Sequence, residues 1–455
     1  MIDIKKAKVK ILSLAFQGAL VDYPNKEKSN KALNDIHSKQ KGFTPVETEE
    51  FLIVAPSYWN WSRLGYITKN HGQIVPYTDF CYIDVGTLDN VHQRLAEKEN
   101  LVNAKNAPSR ARKIVQFGDV LYSTVRPYLH NICVIDKNFS RTPIASTAFC
   151  VMQANESVLL NKYLFYWLLT PEFDKYSNGD PSKGALYPAI GEKDLLHGVI
   201  PLPSVDEQRL IVEKIEQAFS VLDAIDELQA KYADNLTALK SKLIDLAIRG
   251  KLTDQLPEDG TAEELYQQIQ EEKQALIQSG KIKKEKPLPE IAETEIPFEI
   301  PDNWKWVRLN SICYGIFAGG DKPENFVKEK DEEHQIPVVA NGVSNEGIMG
   351  YTALATAPSN TLTVAGRGTI GFPCYRNYEY CPVVRLIVID QSNYIDLQYL
   401  YYVFLGLPAD SVGSSIPQLT VPMVMPKLIP LPPLAEQKRI VDRLGKLLAL
   451  CDELK

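Results

Sequence analysis

The sequence predicts an α+β chain in which two pseudo-repeated, strand-rich domains are separated by long antiparallel coiled-coil helices and arranged circularly. Three observations predict it. Residues 200–226 recur at 429–455 with a constant offset of 229, which sets Pro201 on Pro430, Glu207 on Glu436, Gln208 on Gln437 and Ile225 on Leu454. Residues 11–18 match 243–250 at an offset of 232, with Ile4, Ala7, Ile11 and Leu14 standing for Leu236, Leu239, Leu243 and Leu246. Residues 204–249 contain neither proline nor glycine, and a helix of that length spans about 68 Å. A two-unit repeat cut inside one helix, its ends brought back together, accounts for all three.

In chain order, residues 1–50 read as an N-terminal helix that completes the second spacer, followed by a polar linker. The first domain is 51–203. It opens on Pro56-Ser-Tyr-Trp-Asn-Trp-Ser-Arg-Leu64, which matches Pro301-Asp-Asn-Trp-Lys-Trp-Val-Arg-Leu309 at an offset of 245. Tryptophans separated by one residue face one side of a strand; they serve aromatic packing or base stacking. Short β-type runs at 82–85, 120–122, 132–135 and 148–151 alternate with turn residues, as do 336–339, 361–364 and 383–389 in the other half. Each half then turns helical and aromatic, at 162–169 and 398–405.

The central spacer helix is 204–250. Its apolar positions from Tyr232 onward, Leu236, Leu239, Leu243 and Leu246, are spaced 4, 3, 4, 3, the pattern of one seam. With Ile215, Phe219 and Leu222 earlier in the helix, and Leu444, Leu448 and Leu454 in the C-terminal copy, they are the candidate helix or subunit interface. A linker at 251–296 carries a helical run from Ala262 to Gln278 and a lysine cluster at 281–286, a solvated spacer or a phosphate contact. The second domain is 297–432 and the C-terminal helix 433–455.

Composition bounds the function. With 45% hydrophobic and 24% charged residues the chain has the make-up of a soluble globular protein. It shows no 18-residue apolar run and no secretory signal, so no membrane association and a cytoplasmic location are expected. Seven cysteines include no Cys-x-x-Cys pair. Cys374 and Cys381 lack a nearby histidine, so core thiols are expected and no metal site. A net charge of −7 disfavours indiscriminate nucleic-acid binding by the isolated chain while leaving room for a local basic face.

Catalytic signatures are missing. The chain has no phosphate-binding Gly-x-x-x-x-Gly-Lys-Ser/Thr loop, and Gly366-Arg-Gly-Thr-Ile-Gly371 lacks the following helix of a dinucleotide site. The Asn/Asp-Pro-Pro-aromatic motif of adenine methyltransferases is absent, as are Gly-x-Ser-x-Gly and His-Glu-x-x-His. No catalytic residue and no cofactor of the chain's own is expected. The middle stretches of the halves diverge while their ends agree, as suits two copies of one fold that recognise two different things, such as unlike half-sites in duplex DNA.

The DNA-contact candidates follow from side-chain chemistry. Ser109, Arg110, Arg112 and Lys113 concentrate positive charge before a strand, as a phosphate or groove contact or as a solvated turn. Arg126, with Tyr128 near it, sits where Arg367 sits in the second half; a structural arginine is the rival reading. Lys183 and Tyr187 beside Gly184, and Ser414, Ser415 and Gln418 beside Gly413, occupy matched loops. Gln418 has the amide that pairs with adenine. Lys322 and Arg376 complete the set.

These motifs resemble the specificity (S, or HsdS) subunit of type I restriction-modification systems. The resemblance rests on Ile429-Pro-Leu-Pro-Pro-Leu-Ala-Glu-Gln-Lys-Arg-Ile-Val441 and its echo at 200–212, on Phe117-Gly-Asp-Val-Leu-Tyr-Ser-Thr-Val-Arg-Pro-Tyr128 and on Val364-Ala-Gly-Arg-Gly-Thr-Ile-Gly371. It implies two target recognition domains, each reading half of a split sequence in double-stranded DNA, and helices acting as a ruler. Two methylation subunits and the restriction subunits are implied as partners, with S-adenosylmethionine, ATP and magnesium bound by those partners. A methylation-only system and a protein-binding scaffold are the alternatives. Many relatives are expected to carry a longer C-terminal helix; residues 1–18 completing the ruler answers this, the other answer being a shortened chain whose ends pair with another copy.

Overall fold

The computed structural model describes residues 1–24, 31–40, 44–178, 189–284, 286, 288–407 and 418–454. It divides into two compact units, Met1–Gln229 and Ala230–Lys455, with the cut inside the central helix Val205–Ile248. That helix has 44 residues, as the uninterrupted run predicts, and carries Asp206 and Glu207 in its first turn, where acidic side chains offset the unpaired N–H groups.

The units share the strand order of their main sheet and one parallel pair. In unit 1 a four-stranded sheet runs in the order Thr68–Lys69, Phe149–Ala154, Val120–Ser123, Ile132–Val134. In unit 2 the corresponding order is Cys313–Ala318, Ile387–Gln391, Thr361–Val364, Pro373–Arg376. A second sheet in each unit holds one parallel pair, Phe80–Ile83 with Pro143–Ser146 and Ile336–Val339 with Cys381–Pro382. Parallel neighbours need a long crossover, so the same pair in both units reports a shared chain path where sequence similarity is lost.

The repeated motifs build the joint between each domain and its spacer helix. Asn60–Arg63 pairs antiparallel with Val199–Leu202, Asn60 opposite Leu202. Lys305–Arg308 pairs with Leu428–Leu431, Lys305 opposite Leu431. These registers coincide under the sequence offsets of 245 and 229. Behind each strand pair lies the aromatic helix, Asn161–Leu168 or Leu397–Gly406. Tyr163 donates its hydroxyl to Pro201 O at 3.0 Å, and Tyr399 donates to Pro430 O at 2.7 Å. Burial pushes both phenols well above their ordinary pKa and keeps them donors.

Within unit 1 the N-terminal helix Ile4–Phe16 lies antiparallel to the central helix. Ile2 N–H donates to Gln229 Oε1 at 2.6 Å, Lys8 pairs with Asp223 at 2.6 Å, and Leu12 and Phe16 enter the core beside Ile211 and Ile215. Within unit 2 the C-terminal helix Leu434–Glu453 does the same: Leu444 is buried, Lys240 pairs with Asp452 at 2.6 Å, and Tyr232 donates to Leu454 O at 2.9 Å.

The seam differs from the 4, 3, 4, 3 reading. Leu236, Ile244, Ala247 and Ile248 are buried, Leu243 and Leu246 are half-buried, and Leu239 is 45% exposed. Toward its C-terminal end the helix is also covered by the aromatic helix of its domain. A Cβ on Gly406 would stand 2.9 Å from both Ile244 and Ile248, so the buried stripe turns toward the domain. Ile215 is fully buried, Phe219, Leu222 and Leu448 are half-buried, and Leu454 is 56% exposed. Leu239 and Leu454 therefore face solvent within the chain and do not belong to its helix seam, which leaves the subunit side of their helix-or-subunit assignment.

The first linker also departs from its polar reading, because Lys31–Lys39 is a helix with Leu33 in the core. It precedes its domain as Ala262–Gln278, with Leu265 and Ile269 buried, precedes the other.

Candidate nucleic-acid interface

The family motifs themselves are structural. Glu207 and Gln208 are 2% and 0% exposed, Glu436 and Gln437 both 0%. Glu207 accepts from Trp59 Nε1 at 3.1 Å and from the Tyr58 hydroxyl at 3.0 Å. Glu436 accepts from Trp304 Nε1 at 2.8 Å, Thr253 Oγ1 at 3.0 Å and Gln255 Nε2 at 2.9 Å. Gln208 accepts from Leu160 N and donates to Val158 O and Pro203 O; Gln437 accepts from Asp396 N and donates to Pro432 O. A buried carboxylate is tolerated only when such donors replace water. The entrance arginines are likewise held: Arg63 by Glu50, Arg308 by Glu295, both at 2.9 Å. Trp59 is buried, and Trp61 stacks on Phe51 at 4.4 Å, so these tryptophans pack within unit 1.

The basic cluster at 109–113 is split by strand periodicity. Along Ala111–Ile114 residues alternate inward and outward. Ser109 and Arg110 are exposed and Arg112 is half-buried, whereas Lys113 is 6% exposed and pairs with Glu192 at 2.7 Å. Lys113 is thus a correction: its charge is spent inside the domain. Arg376 is another, at 1% exposure. Its Nε donates to Thr363 Oγ1 and its guanidinium to the Tyr378 hydroxyl, both at 3.1 Å, with Glu346 at 3.6 Å. Lys322 is exposed, its Nζ 4.3 Å from the centre of the Phe326 ring.

Arg126 and Arg367 occupy equivalent places, each just past the third strand of its four-stranded sheet. Arg126 is exposed at φ +51°, and Tyr128 is 47% exposed. Beside them Thr124 O accepts Ile190 N at 2.9 Å, as Gly366 O accepts Leu419 N at 2.9 Å beside exposed Arg367. Gln418 is exposed on the same cleft as Arg367, joined there by Arg385, which the sequence reading did not single out. Lys183, Tyr187, Ser414 and Ser415 lie outside the described residues.

Among the described residues no group of three or more His, Cys, Asp or Glu is placed to hold a metal ion, and no helix is long and apolar enough to cross a membrane. The seven cysteines are free thiols, all buried except half-buried Cys374.

A duplicated strand-rich domain, each copy joined to a spacer helix by a buried Glu-Gln pair, is the architecture these residues define. Solved structures share the fold. One, solved for complex assembly and conformational transition of the type I R-M system, aligns with a TM-score of 0.65 and 24% identity over 87% of this chain and 92% of that one. The HsdS subunit from Thermoanaerobacter tengcongensis aligns at 0.53 and 23%, over 88% and 92%. The family model for the type I restriction modification DNA specificity domain matches residues 301–455. The EcoAI specificity subunit of Escherichia coli is 23% identical over 99% of this chain and 90% of its own length. A Mycoplasma pneumoniae sequence named as the C-terminus of a type I specificity subunit is 31% identical over 23% of this chain and 73% of its own length. The chain belongs to the type I restriction-modification specificity-subunit family.

Proposed function

We propose that this chain is a non-catalytic DNA-reading subunit: each unit reads one half of a bipartite duplex target, and the central helix sets the gap between them. The carrying observation is the contrast inside the repeat. The Glu-Gln joints share the indole-to-glutamate contact and the glutamine's bonds to backbone, whereas the loops that bear Arg126 and Arg367 sit at equivalent places with unlike neighbours. A shared frame with divergent loops supports two readers of different sequences.

The same helix offers docking surface for methylation subunits, onto which restriction subunits join. In unit 1 the exposed Leu210, Val221 and Leu228 follow at spacings of 11 and 7, which return to one helical face. In unit 2 the exposed Tyr232 and Leu239 stand seven apart. Apolar side chains aligned on one face and bare of cover are what a partner subunit buries. S-adenosylmethionine, ATP and magnesium belong to those partners in this reading.

The test is a seven-residue helical insertion after Gln229, assayed as methylation of targets with varied gaps by the chain assembled with its methylation subunit. The helix lengthens by about 10 Å, so the favoured gap shifts. An unaltered gap refutes the ruler.

A further inference from the structure

Several arginines of unit 2 are consumed by the fold: Arg249, Arg308 and Arg439 each hold a carboxylate, and Arg376 is sealed inside. Arg367 and Arg385 differ from these four. Both are exposed, and among the described residues neither guanidinium has an ion pair or hydrogen bond. They share a cleft of about 380 Å³ with Gln418 and Thr420 on its wall.

The backbone under Arg385 is held in a costly conformation. Val384 and Arg385 both lie in the left-handed region, at φ +55° and +63°. A β-branched residue stays there only when its surroundings over-determine it. Here Val384 N donates to Gly320 O at 2.9 Å, Arg385 N to Gly319 O at 3.2 Å and Leu386 N to Val383 O at 3.1 Å. Asn341 staples this turn to the Arg367 loop: its Nδ2 donates to Val384 O at 2.6 Å, and its Oδ1 accepts Gly366 N at 2.7 Å. The two segments touch so closely that a Cβ on Gly366 would stand 3.0 Å from Arg385 O. Nor does core packing explain the strain, since the Val384 side chain is 45% exposed.

A phosphate contact tolerates a loosely held cation, whereas a base contact needs its donors fixed in position and direction. Of the bases, guanine presents the two acceptors, O6 and N7, that match the guanidinium fork. The stapled turn fixes where the Arg385 stem leaves the backbone, and from this and the exposed guanidinium, without a partner among the described residues, we infer that Arg385 is a specificity-determining residue that reads a guanine in the half-site of unit 2. This rests on the recognition reading above.

The test uses the full chain assembled with its methylation subunit, on duplexes carrying each base in turn through the target found by methylation-aware sequencing. Arg385→Ala is expected to lower methylation of the cognate duplex by about 5- to 150-fold and to relax preference at one guanine of one half-site only. Arg385→Lys keeps the charge and the aliphatic stem, so it guards against a folding defect; it is expected to retain affinity while losing part of the preference. Equal weakening on every sequence with a reduced salt slope would make Arg385 a phosphate contact and overturn the inference, as would unchanged preference in both variants. A wild-type assembly with no sequence preference would instead overturn the recognition reading, and this inference with it.

Discussion

The indole of Trp304 donates to the Glu436 carboxylate across 2.8 Å and 132 residues of sequence, and neither side chain is more than 6% exposed. The same contact joins Trp59 to Glu207 at 3.1 Å. Each domain's first turn is thereby bolted to the start of the helix that leaves it, which ties domain and helix together within each unit.

Removing the bolt strands a buried donor. Glu436→Ala is expected to destabilise the chain by about 1–3 kcal/mol, because the buried Trp304 indole loses its acceptor, with a smaller loss at half-buried Thr253 and exposed Gln255. Glu216→Ala, which breaks a more exposed pair with Lys162, is expected to cost within about 0.5 kcal/mol. Urea unfolding of both variants checks the contrast; equal midpoints would contradict it.

Gly250 closes the central helix at φ +67°, and a Cβ there would stand 2.5 Å from the Pro301 ring. Gly280 closes the helix Ala262–Gln278 at φ +70° with nothing within 4 Å. Gly280→Ala should cost about 1 kcal/mol for the left-handed backbone alone, and Gly250→Ala about 2–4 kcal/mol with the clash added. Thermal melts of the pair separate conformational strain from packing.

Burial pushes the Asp390 carboxyl up from 3.8 to about 6. Between those values the folded chain holds a proton that the unfolded chain releases, so this residue's contribution to stability falls as pH rises through the window. Asp390→Asn should be more stable than wild type at neutral pH, with the advantage vanishing below about pH 4. A difference independent of pH would assign the effect to packing.

The cluster at 109–113 should divide by function. Arg110→Ala is expected to leave the melting temperature unchanged and to reduce the salt slope of DNA binding by about one. Lys113→Ala removes the ion-pair partner of half-buried Glu192 and the packing of a buried stem, and should cost about 1 kcal/mol. Melting and salt-titrated binding of the assembled complex distinguish the two.

Much of the architecture was legible because long-range contacts here are written as repeats. The offset of 229 aligns Glu207 with Glu436, and each holds a tryptophan in the structure; the uninterrupted run predicts the 44-residue helix. The interface was less legible. Lys113 looked like part of a basic cluster, yet strand alternation turns it inward. Arg376 reads like any surface arginine until Thr363 and Tyr378 close over it. Arg385 carried no local signal, because nothing about Val-Val-Arg-Leu announces a left-handed turn.

By itself the sequence determined the duplication and the long helices, since these depend on periodicity and on identical residues recurring at fixed offsets. Only the tertiary structure decided which arginines are spent and which are spare. That outcome depends on the neighbours that segments far apart in sequence bring to each guanidinium, and no local pattern encodes them.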